Sequence, residues 1–398
     1  MRATPALVLV AAILLISCGG GDAPPPPRTS EPAAVGDTIV IPRGQPVTIG
    51  VSAALSGDQT SLGKDIADAA DLAVADFGGT LQDHPIRVTR VDDRCTDAEA
   101  AVAAARQLIQ DATLAGVVGP MCTTGAQAAD SIYERARTIH IAVSATRVEL
   151  SAQGERYFFR TSWRDDAQAL MQATYAFAAG AETAFVIDDG GPYGRGLAEA
   201  FAAAFEARGG RILARERIIL GSTDFAGLAR QAQAASAGVV VFEGLNPEGA
   251  LLIRALREYG YSGTFIGPDS LLNSRDFLQP AGALAELAVI TGGSAPDDAF
   301  NARFNERFQR LPATPFVLQS HDAVTALLTA LRTVAVAESD GGLTIDRDQL
   351  AETLRTQRFA GLTGSITFDE RGDRRGESAR DVGLRIYRVM DGRFVPID

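Results

Sequence analysis

The segment AGVVGPMCTTGAQAADSIYERARTIHIAVSATRVEL, residues 115–150, contains the pattern that decides the fold. Two short apolar runs, Ala115–Gly119 and Ile139–Val143, are predicted to be buried strands, and the amphipathic segment Gln127–Arg137 between them is predicted to be a helix. Hydroxyl-bearing residues follow each strand, in the loops GPMCTTG and AVSATRVEL. A strand that leads Ser or Thr to a helix start surrounds a polar pocket with backbone N–H groups, which suits a carboxylate or another small anion. Ordinary helix N-caps are the alternative.

The same alternation of strands and helices continues along the chain from Val47 onward. About 350 residues remain there, which is more than one hydrophobic core usually serves. One set of strand and helix segments precedes the middle of the chain, a second begins near Thr183, and a terminal hairpin is predicted around Asp391-Gly392. Near-continuous apolar strands between helices predict parallel sheets covered on both faces. The predicted fold class is α/β, with two doubly wound parallel-sheet lobes whose strand ends line a shared cleft.

The first 17 residues are predicted to be a lipoprotein signal peptide. Leu7–Ile16 is an unbroken apolar run, too short to span a bilayer, and it leads to Ser17-Cys18, which resembles the lipobox of bacterial lipoproteins. An ordinary secretory signal with an incidental Cys is the alternative. Residues 18–46 contain the proline run Pro24–Pro27 and show no hydrophobic period, so they are predicted to be a lipidated, flexible tether without secondary structure. The protein is therefore expected to be exported and anchored through Cys18, facing the periplasm or cell exterior.

Cysteines, histidines and charge exclude several classes of site. With Cys18 assigned to the lipid, Cys95 and Cys122 remain as a disulfide pair, and two free buried thiols are the alternative. The three histidines lie far apart in sequence, so no metal site is predicted. The formal net charge is −12 and no basic cluster is present, so nucleic acid is not an expected partner.

Sequence patterns of common enzymes are not matched. The segment GDQTSLGKD, residues 57–65, has one residue too many between its glycines for a phosphate-binding loop, and Asp65 stands where Ser or Thr is required. No GxSxG pattern occurs, and His321-Asp322 has no flanking nucleophile signature. We therefore expect no enzyme activity, no catalytic residues and no cofactor.

Residues 47–398 resemble the type I periplasmic binding proteins, and most closely the leucine/isoleucine/valine-binding proteins of ABC transporters. The matching segments, in order, are IGVSAALSGDQTSLGKDIADAADLAVADF, VDDRCTDAEAAVAAARQLI, GPMCTTGAQAADSIYE, AVSATRVEL, DDGGPYGRGLAEAF, GLNPE, FIGPDSLLN and TGSITFDERGD. The resemblance implies two lobes joined by a three-segment hinge. Lobe 1 is expected at 47–163 plus 294–376, and lobe 2 at 164–293 plus 377–398.

The resemblance also implies a set of ligand-binding residues. Thr123 and Thr146 match hydroxyls that bind the α-carboxylate of an amino acid, and Ser144 matches a residue whose carbonyl accepts from the α-ammonium group. Asp269 matches the carboxylate that neutralises this ammonium from the other lobe, and Tyr193 matches an aromatic that closes over the ligand. A capping role for Asp269 and simple loop packing for Tyr193 are the alternatives. The other implied ligand-binding residues are Leu62, Met121, Ala145 and Leu245.

Three of these positions depart from the leucine-binding members of the family. Asp269 is one methylene shorter than the usual Glu, and Leu62 and Leu245 stand where aromatics are common. The resemblance implies a substrate-binding lipoprotein, expected to be a monomer, that delivers a small, branched-chain-like amino acid or related compound to an ABC permease. A receptor of the same fold that senses such a ligand for a signalling partner is the alternative, and a structural lipoprotein with an inactive cleft is a third.

Overall fold

The computed structural model describes residues 36–397. The predicted signal peptide, the lipid site Cys18 and the first part of the tether lie outside the described residues. Within residues 36–397, none of the helices combines the length and the apolar character that a membrane span requires.

Strands and helices alternate through most of the described chain. The strands are β1 (Thr38–Ile41), β2 (Val47–Ala53), β3 (Thr80–Leu81), β4 (His84–Asp92), β5 (Leu114–Val118), β6 (His140–Ala142), β7 (Phe158–Arg160), β8 (Thr183–Asp188), β9 (Arg211–Arg217), β10 (Val239–Glu243), β11 (Thr264–Gly267), β12 (Val289–Gly293), β13 (Val336–Ala337), β14 (Leu343–Asp346), β15 (Phe359–Gly361), β16 (Gly364–Ile366), β17 (Leu384–Met390) and β18 (Arg393–Pro396). The α-helices are α1 (Thr60–Asp76), α2 (Ala98–Leu108), α3 (Thr123–Arg135), α4 (Asp165–Ala178), α5 (Pro192–Glu206), α6 (Ala226–Ala235), α7 (Glu248–Glu258), α8 (Gln279–Ala281), α9 (Asp298–Phe308), α10 (Val317–Val334) and α11 (Arg347–Thr356).

The first main sheet has the strand order β3-β4-β2-β5-β6-β7. Strands β4, β2, β5, β6 and β7 pair in parallel, and the short β3 is antiparallel at the edge. The chain turns from one side of β2 to the other between β4 and β5, so the carboxyl ends of β2 and β5 form a topological switch point. Every residue of β2 and β5 is buried, as expected for central parallel strands covered on both faces.

The second main sheet has the order β18-β17-β12-β11-β10-β8-β9. Strands β9, β8, β10, β11 and β12 pair in parallel, while β17 and β18 add the predicted C-terminal hairpin in antiparallel fashion. Its switch point lies between β8 and β10. The prediction of an α/β fold with two parallel-sheet lobes is confirmed.

A small antiparallel sheet, β1-β14-β13, corrects the predicted tether. Residues 38–41 were expected to lack structure, but they form β1, with Ile39 and Ile41 only 1% and 0% exposed. The alternation of exposed and buried residues in Thr38–Ile41 spans only four residues, which is too short to stand out beside a proline-rich segment. Pairing with β14, about 300 residues later in the chain, decides its conformation.

Two helices begin earlier than the sequence predicts. Helix α3 begins at Thr123 instead of Gln127, and α4 begins at Asp165, whereas the apolar pattern alone predicts a helix only over Met171–Ala179. The first turns of both helices are rich in polar residues, which hides them from a search for hydrophobic periodicity. Carboxylates at Asp165 and Asp166 suit the positive end of the α4 dipole. Because of these earlier starts, Thr123 and Asp165 are each the first residue of a helix.

Candidate ligand-binding site

A cavity of about 450 Å³ lies between the carboxyl ends of the two main sheets. One wall comes from α1 and from the loops after β4, β5 and β6, and the other comes from the loops after β8, β9, β10 and β11. This is where doubly wound sheets bind ligands. The cavity is lined by Leu62, Cys95, Thr96, Met121, Cys122, Thr123, Thr124, Ser144, Asp189, Gly190, Gly191, Pro192, Tyr193, Ile218, Ile219, Leu220, Leu245, Asp269, Ser270 and Phe316.

The hydroxyl end, as we call Thr123, which lines the cavity, and the buried Thr146 in the loop after β6, contains neutral hydroxyl groups. Thr123 is 3% exposed, and its hydroxyl has no hydrogen-bond partner within residues 36–397. Its position at the start of α3 also directs backbone N–H groups and the positive end of the helix dipole toward the cavity. The sharp turn before it depends on Gly119, where φ is +108° and a Cβ would lie 2.2 Å from the Ser52 carbonyl oxygen.

A buried ion pair holds the second hydroxyl-bearing loop. Arg160 is fully buried and donates from Nε to Oδ1 of Asp373 at 2.8 Å. The same guanidinium donates to the Arg147 carbonyl at 2.7 Å and to the Ser151 hydroxyl at 3.0 Å. The loop that contains Thr146 is thereby held in place, and the buried Thr146 hydroxyl lies beside the Asp165 carboxyl. The Thr123 hydroxyl is different, because an unsatisfied buried hydroxyl costs about 1–3 kcal/mol unless a ligand or water pairs with it.

Three buried carboxyl groups, Asp269, Asp165 and Glu243, form what we call the acidic end. In contrast to the hydroxyl end, it offers hydrogen-bond acceptors that can carry negative charge. Asp269 is 3% exposed and lines the cavity directly. It accepts a hydrogen bond from the Tyr193 hydroxyl at 2.8 Å and one from Trp163 Nε1 at 3.3 Å. Burial raises the pKa of Asp269 to about 7, although both hydrogen bonds oppose the increase. Near pH 7 the Asp269 carboxyl is therefore partly protonated unless a cation pairs with it.

Two further carboxyls are buried next to Asp269, one beside the Thr146 hydroxyl and the other beside the Gln172 amide. These are Asp165, at the start of α4, and Glu243, at the end of β10, which are 1% and 0% exposed. Burial raises the pKa of Asp165 to about 7, and the nearby Asp269 carboxylate adds to the increase. Burial, followed by the charges of Asp269 and Asp165, raises the pKa of Glu243 well above its usual range. Ionisation of one carboxyl at the acidic end therefore disfavours ionisation of the others.

Beside the polar Thr96, Thr124, Ser144, Asp189 and Ser270, the rest of the cavity wall is apolar and includes three sulfur-containing residues. Leu62, Met121 and Phe316 are almost fully buried. Cys95 and Cys122 form the predicted disulfide, with their Cα atoms 5.0 Å apart, and both line the cavity. Cys122 directly precedes Thr123, so the disulfide also fixes the start of α3.

Direct contacts join the two sides of the cavity. Gln59 Nε2, beside α1, donates to the Asn246 carbonyl after β10 at 2.8 Å. Arg147, after β6, donates to the Pro192 carbonyl at the start of α5 at 2.6 Å. The two lobes therefore already touch beside the cavity.

The structure brings most of the sequence-predicted ligand residues to one cavity. Seven of them line it: Leu62, Met121, Thr123, Ser144, Tyr193, Leu245 and Asp269. Ala145 and Thr146 are buried in the same loop but do not line the cavity. The Ser144 hydroxyl is already used, because it donates to the Met121 carbonyl at 2.6 Å.

Several residues of the site were missed from the sequence. Phe316, Trp163, Asp165 and Glu243 were not predicted. An acidic residue that ends an apolar strand, as Glu243 ends VVVFE, is a signal that could have found one of them. Within the described residues, no group of three or more His, Cys, Asp or Glu side chains is arranged to hold a metal ion.

Comparison with known proteins places this architecture in a family. A model of the family described as "Periplasmic binding protein" matches residues 46–393. This chain belongs to the periplasmic binding protein family. It is a type I member of the leucine/isoleucine/valine-binding group, as the resemblance implied.

Relatives of this periplasmic binding protein carry names that refer to amino acids. The leucine-, isoleucine-, valine-, threonine- and alanine-binding protein of Pseudomonas aeruginosa is 31% identical over 292 residues, which cover 71% of this chain and 74% of the relative. The branched-chain amino acid transporter substrate-binding protein of Streptococcus pneumoniae, solved with isoleucine, aligns with a TM-score of 0.76 and 21% identity, covering 89% of this chain and 100% of that one.

Another structural neighbour binds a different ligand. A solute-binding protein of an ABC transporter from Rhodopseudomonas palustris, solved with p-hydroxybenzoic acid, aligns with a TM-score of 0.77 and 19% identity, covering 89% of this chain and 96% of that one. At such identities the two solved structures establish the shared fold alone. Members of the family are extracytoplasmic solute-binding proteins.

Proposed function

We propose that this chain is the substrate-binding protein of an ABC transporter and that it binds an α-amino acid, or a closely related compound, in the cavity between its lobes. One observation carries the proposal. Thr123 offers an unpaired hydroxyl and a helix N-terminus, while Asp269 offers an acceptor from the opposite side of the same cavity. A zwitterion needs donors at one end and an anion at the other.

The role of each residue follows from this arrangement. The Thr123 hydroxyl and the N–H groups at the start of α3 bind the α-carboxylate, and the Thr146 loop supports it. Asp269 neutralises the α-ammonium, and the Tyr193 hydroxyl orients the Asp269 carboxylate. The Ser144 carbonyl accepts from the same ammonium, and apolar side chains surround the ligand's side chain.

Hinge motion and anchoring complete the proposed mechanism. Lobe 1, at 47–163 plus 294–376, and lobe 2, at 164–293 plus 377–398, close around the ligand, and contacts from both lobes stabilise the closed form for delivery to a permease. Lipid on Cys18 holds the protein at the membrane. Mass spectrometry of the mature N-terminus tests the anchor, with Cys18→Ser as the variant that must lose the lipid.

Calorimetry of the purified protein tests the binding proposal. A panel of the common amino acids is compared with the corresponding carboxylic acids and amines, each of which lacks one charged group. We expect micromolar or tighter binding of at least one amino acid, and weaker binding of both of its truncated analogues. A folded protein that binds the carboxylic acid better than the amino acid would contradict the proposal.

A further inference from the structure

The cavity is larger than a branched-chain amino acid requires. Its volume of about 450 Å³ has room for roughly fifteen water-sized groups at about 30 Å³ each. Leucine has roughly nine non-hydrogen atoms and would occupy little more than half of that space. Cavities of this size commonly hold larger organic molecules than leucine.

The surplus volume does not come from widely separated lobes. The contacts from Gln59 to Asn246 and from Arg147 to Pro192 already join the two sides of the cavity, at 2.8 and 2.6 Å. Further closure by rigid rotation is limited by these contacts, because groups at hydrogen-bond distance cannot approach much more closely.

The wall also cannot collapse to fill the surplus. Helix α1, which carries Leu62, already touches the loop after β2, because a Cβ on Gly63 would lie 1.9 Å from the Ala54 carbonyl oxygen. Phe316, which also lines the cavity, is held by stacking on Trp163, with ring centroids 4.9 Å apart. Closely packed walls relax only partly around empty space, so the space is available to a ligand.

The residue types that line the cavity indicate which kind of ligand group would bind there. Apart from Asp189 and Asp269, the described lining residues carry no charge, and no Lys or Arg is among them. The Met121 thioether and the Cys95–Cys122 disulfide supply three sulfur atoms, and sulfur makes favourable contacts with aromatic rings. An apolar wall rich in sulfur therefore favours an aromatic ring over a charged or strongly polar group.

We propose that the preferred ligand is an aromatic α-amino acid, of the size of phenylalanine or tryptophan, with its ring between the leucines of the wall and the sulfur atoms. This inference rests on the proposed function, since Thr123 and Asp269 must still hold the two charged groups of the amino acid. The ring fills the volume that leucine leaves empty, and burying it adds apolar contact area.

Calorimetry with leucine, phenylalanine and tryptophan tests the inference. For the unmodified protein we expect at least one aromatic amino acid to bind tenfold or more tightly than leucine. Leu245→Trp fills part of the cavity from a half-buried loop position, so it should weaken aromatic binding at least tenfold more than it weakens leucine binding. Leu362→Trp, at a side chain that is 45% exposed and outside the cavity lining, is the matched control and should change neither affinity.

Each outcome decides between the two proposals. Leucine binding more tightly than both aromatic amino acids would overturn the aromatic preference and leave the proposed function intact. Binding of no amino acid by the folded protein would overturn both. If Leu245→Trp does not fold, Leu220→Trp, at a side chain that lines the cavity and is 40% exposed, reduces the same volume.

Discussion

The hydroxyl end and the acidic end of the cavity are both buried, yet they differ in how they depend on protons. At the hydroxyl end, Thr123 and Thr146 present neutral hydroxyls whose donor capacity is constant at all ordinary pH values. At the acidic end, burial raises the pKa of Asp269 and of Asp165 to about 7. Recognition of a carboxylate should therefore be independent of pH, whereas recognition of an ammonium group should depend on it.

Replacing Asp269 should have the largest effect on binding. Asp269→Asn removes the negative charge that pairs with the ligand's ammonium, and losing one partner of a buried charge pair costs about 2–5 kcal/mol. We expect amino-acid affinity at pH 8 to fall about a hundredfold by calorimetry. Binding of the matching carboxylic acid, which lacks the ammonium, should be unchanged or tighter.

The pH dependence of the same interaction provides the control. Ammonium binding requires an ionised Asp269, so protonation below pH 7 competes with the ligand. Amino-acid affinity should fall about tenfold from pH 8 to pH 6, and Asp269→Asn should abolish this dependence. Asp166→Asn, at a carboxylate whose side chain is 52% exposed, should retain it. Equal losses for amino acid and carboxylic acid in Asp269→Asn would place Asp269 outside the ligand contacts.

Replacing Thr123 should weaken amino-acid binding less than replacing Asp269 does, and the loss should be the same at every pH. Thr123→Val keeps the shape of the side chain and the backbone N–H groups but removes the hydroxyl, which should weaken binding about tenfold because a hydrogen bond to a charged group contributes about 1.5–3 kcal/mol. Thr123→Ser should restore most of the affinity. Titrations at pH 6 and pH 8 measure the effect, and a loss present at only one of these pH values would contradict a neutral donor role.

Asp165 should influence stability more than binding, with the smallest effect of the three. Its pKa is raised from 3.8 to about 7, so its contribution to stability is fully present below pH 4 and is lost as the pH rises through 7. At pH 8, Asp165→Asn should increase the unfolding free energy of the ligand-free protein by roughly 1–2 kcal/mol, and so raise its melting temperature. At pH 4 the melting temperature should change little. Thermal unfolding at both pH values measures this, with Asp166→Asn as control. A lower melting temperature at pH 8 would show that Asp165 is stabilised by an unrecognised partner.

Much of the site could be predicted because strand ends are visible in sequence. Thr123 and Asp269 each lie in the loop that follows a short apolar run, and the resemblance to a known family assigned both to the ligand. Asp165 and Glu243 were missed for different reasons. Asp165 belongs to a polar first turn of α4 that does not show the helical period, and nothing in sequence indicates that Glu243 meets two other carboxyls.

The sequence by itself determined the class of fold, the pairing of Cys95 with Cys122 as a candidate and the position of the hydroxyl-bearing loops, because apolar periodicity and residue type are local properties. Only the tertiary structure decided that β1 joins a sheet with β14, that the disulfide lies in the cavity wall and that three carboxyls share one buried region. Each of these features depends on contacts between segments far apart in the chain. Burial, and the pKa increase that burial causes, exists only after such contacts form.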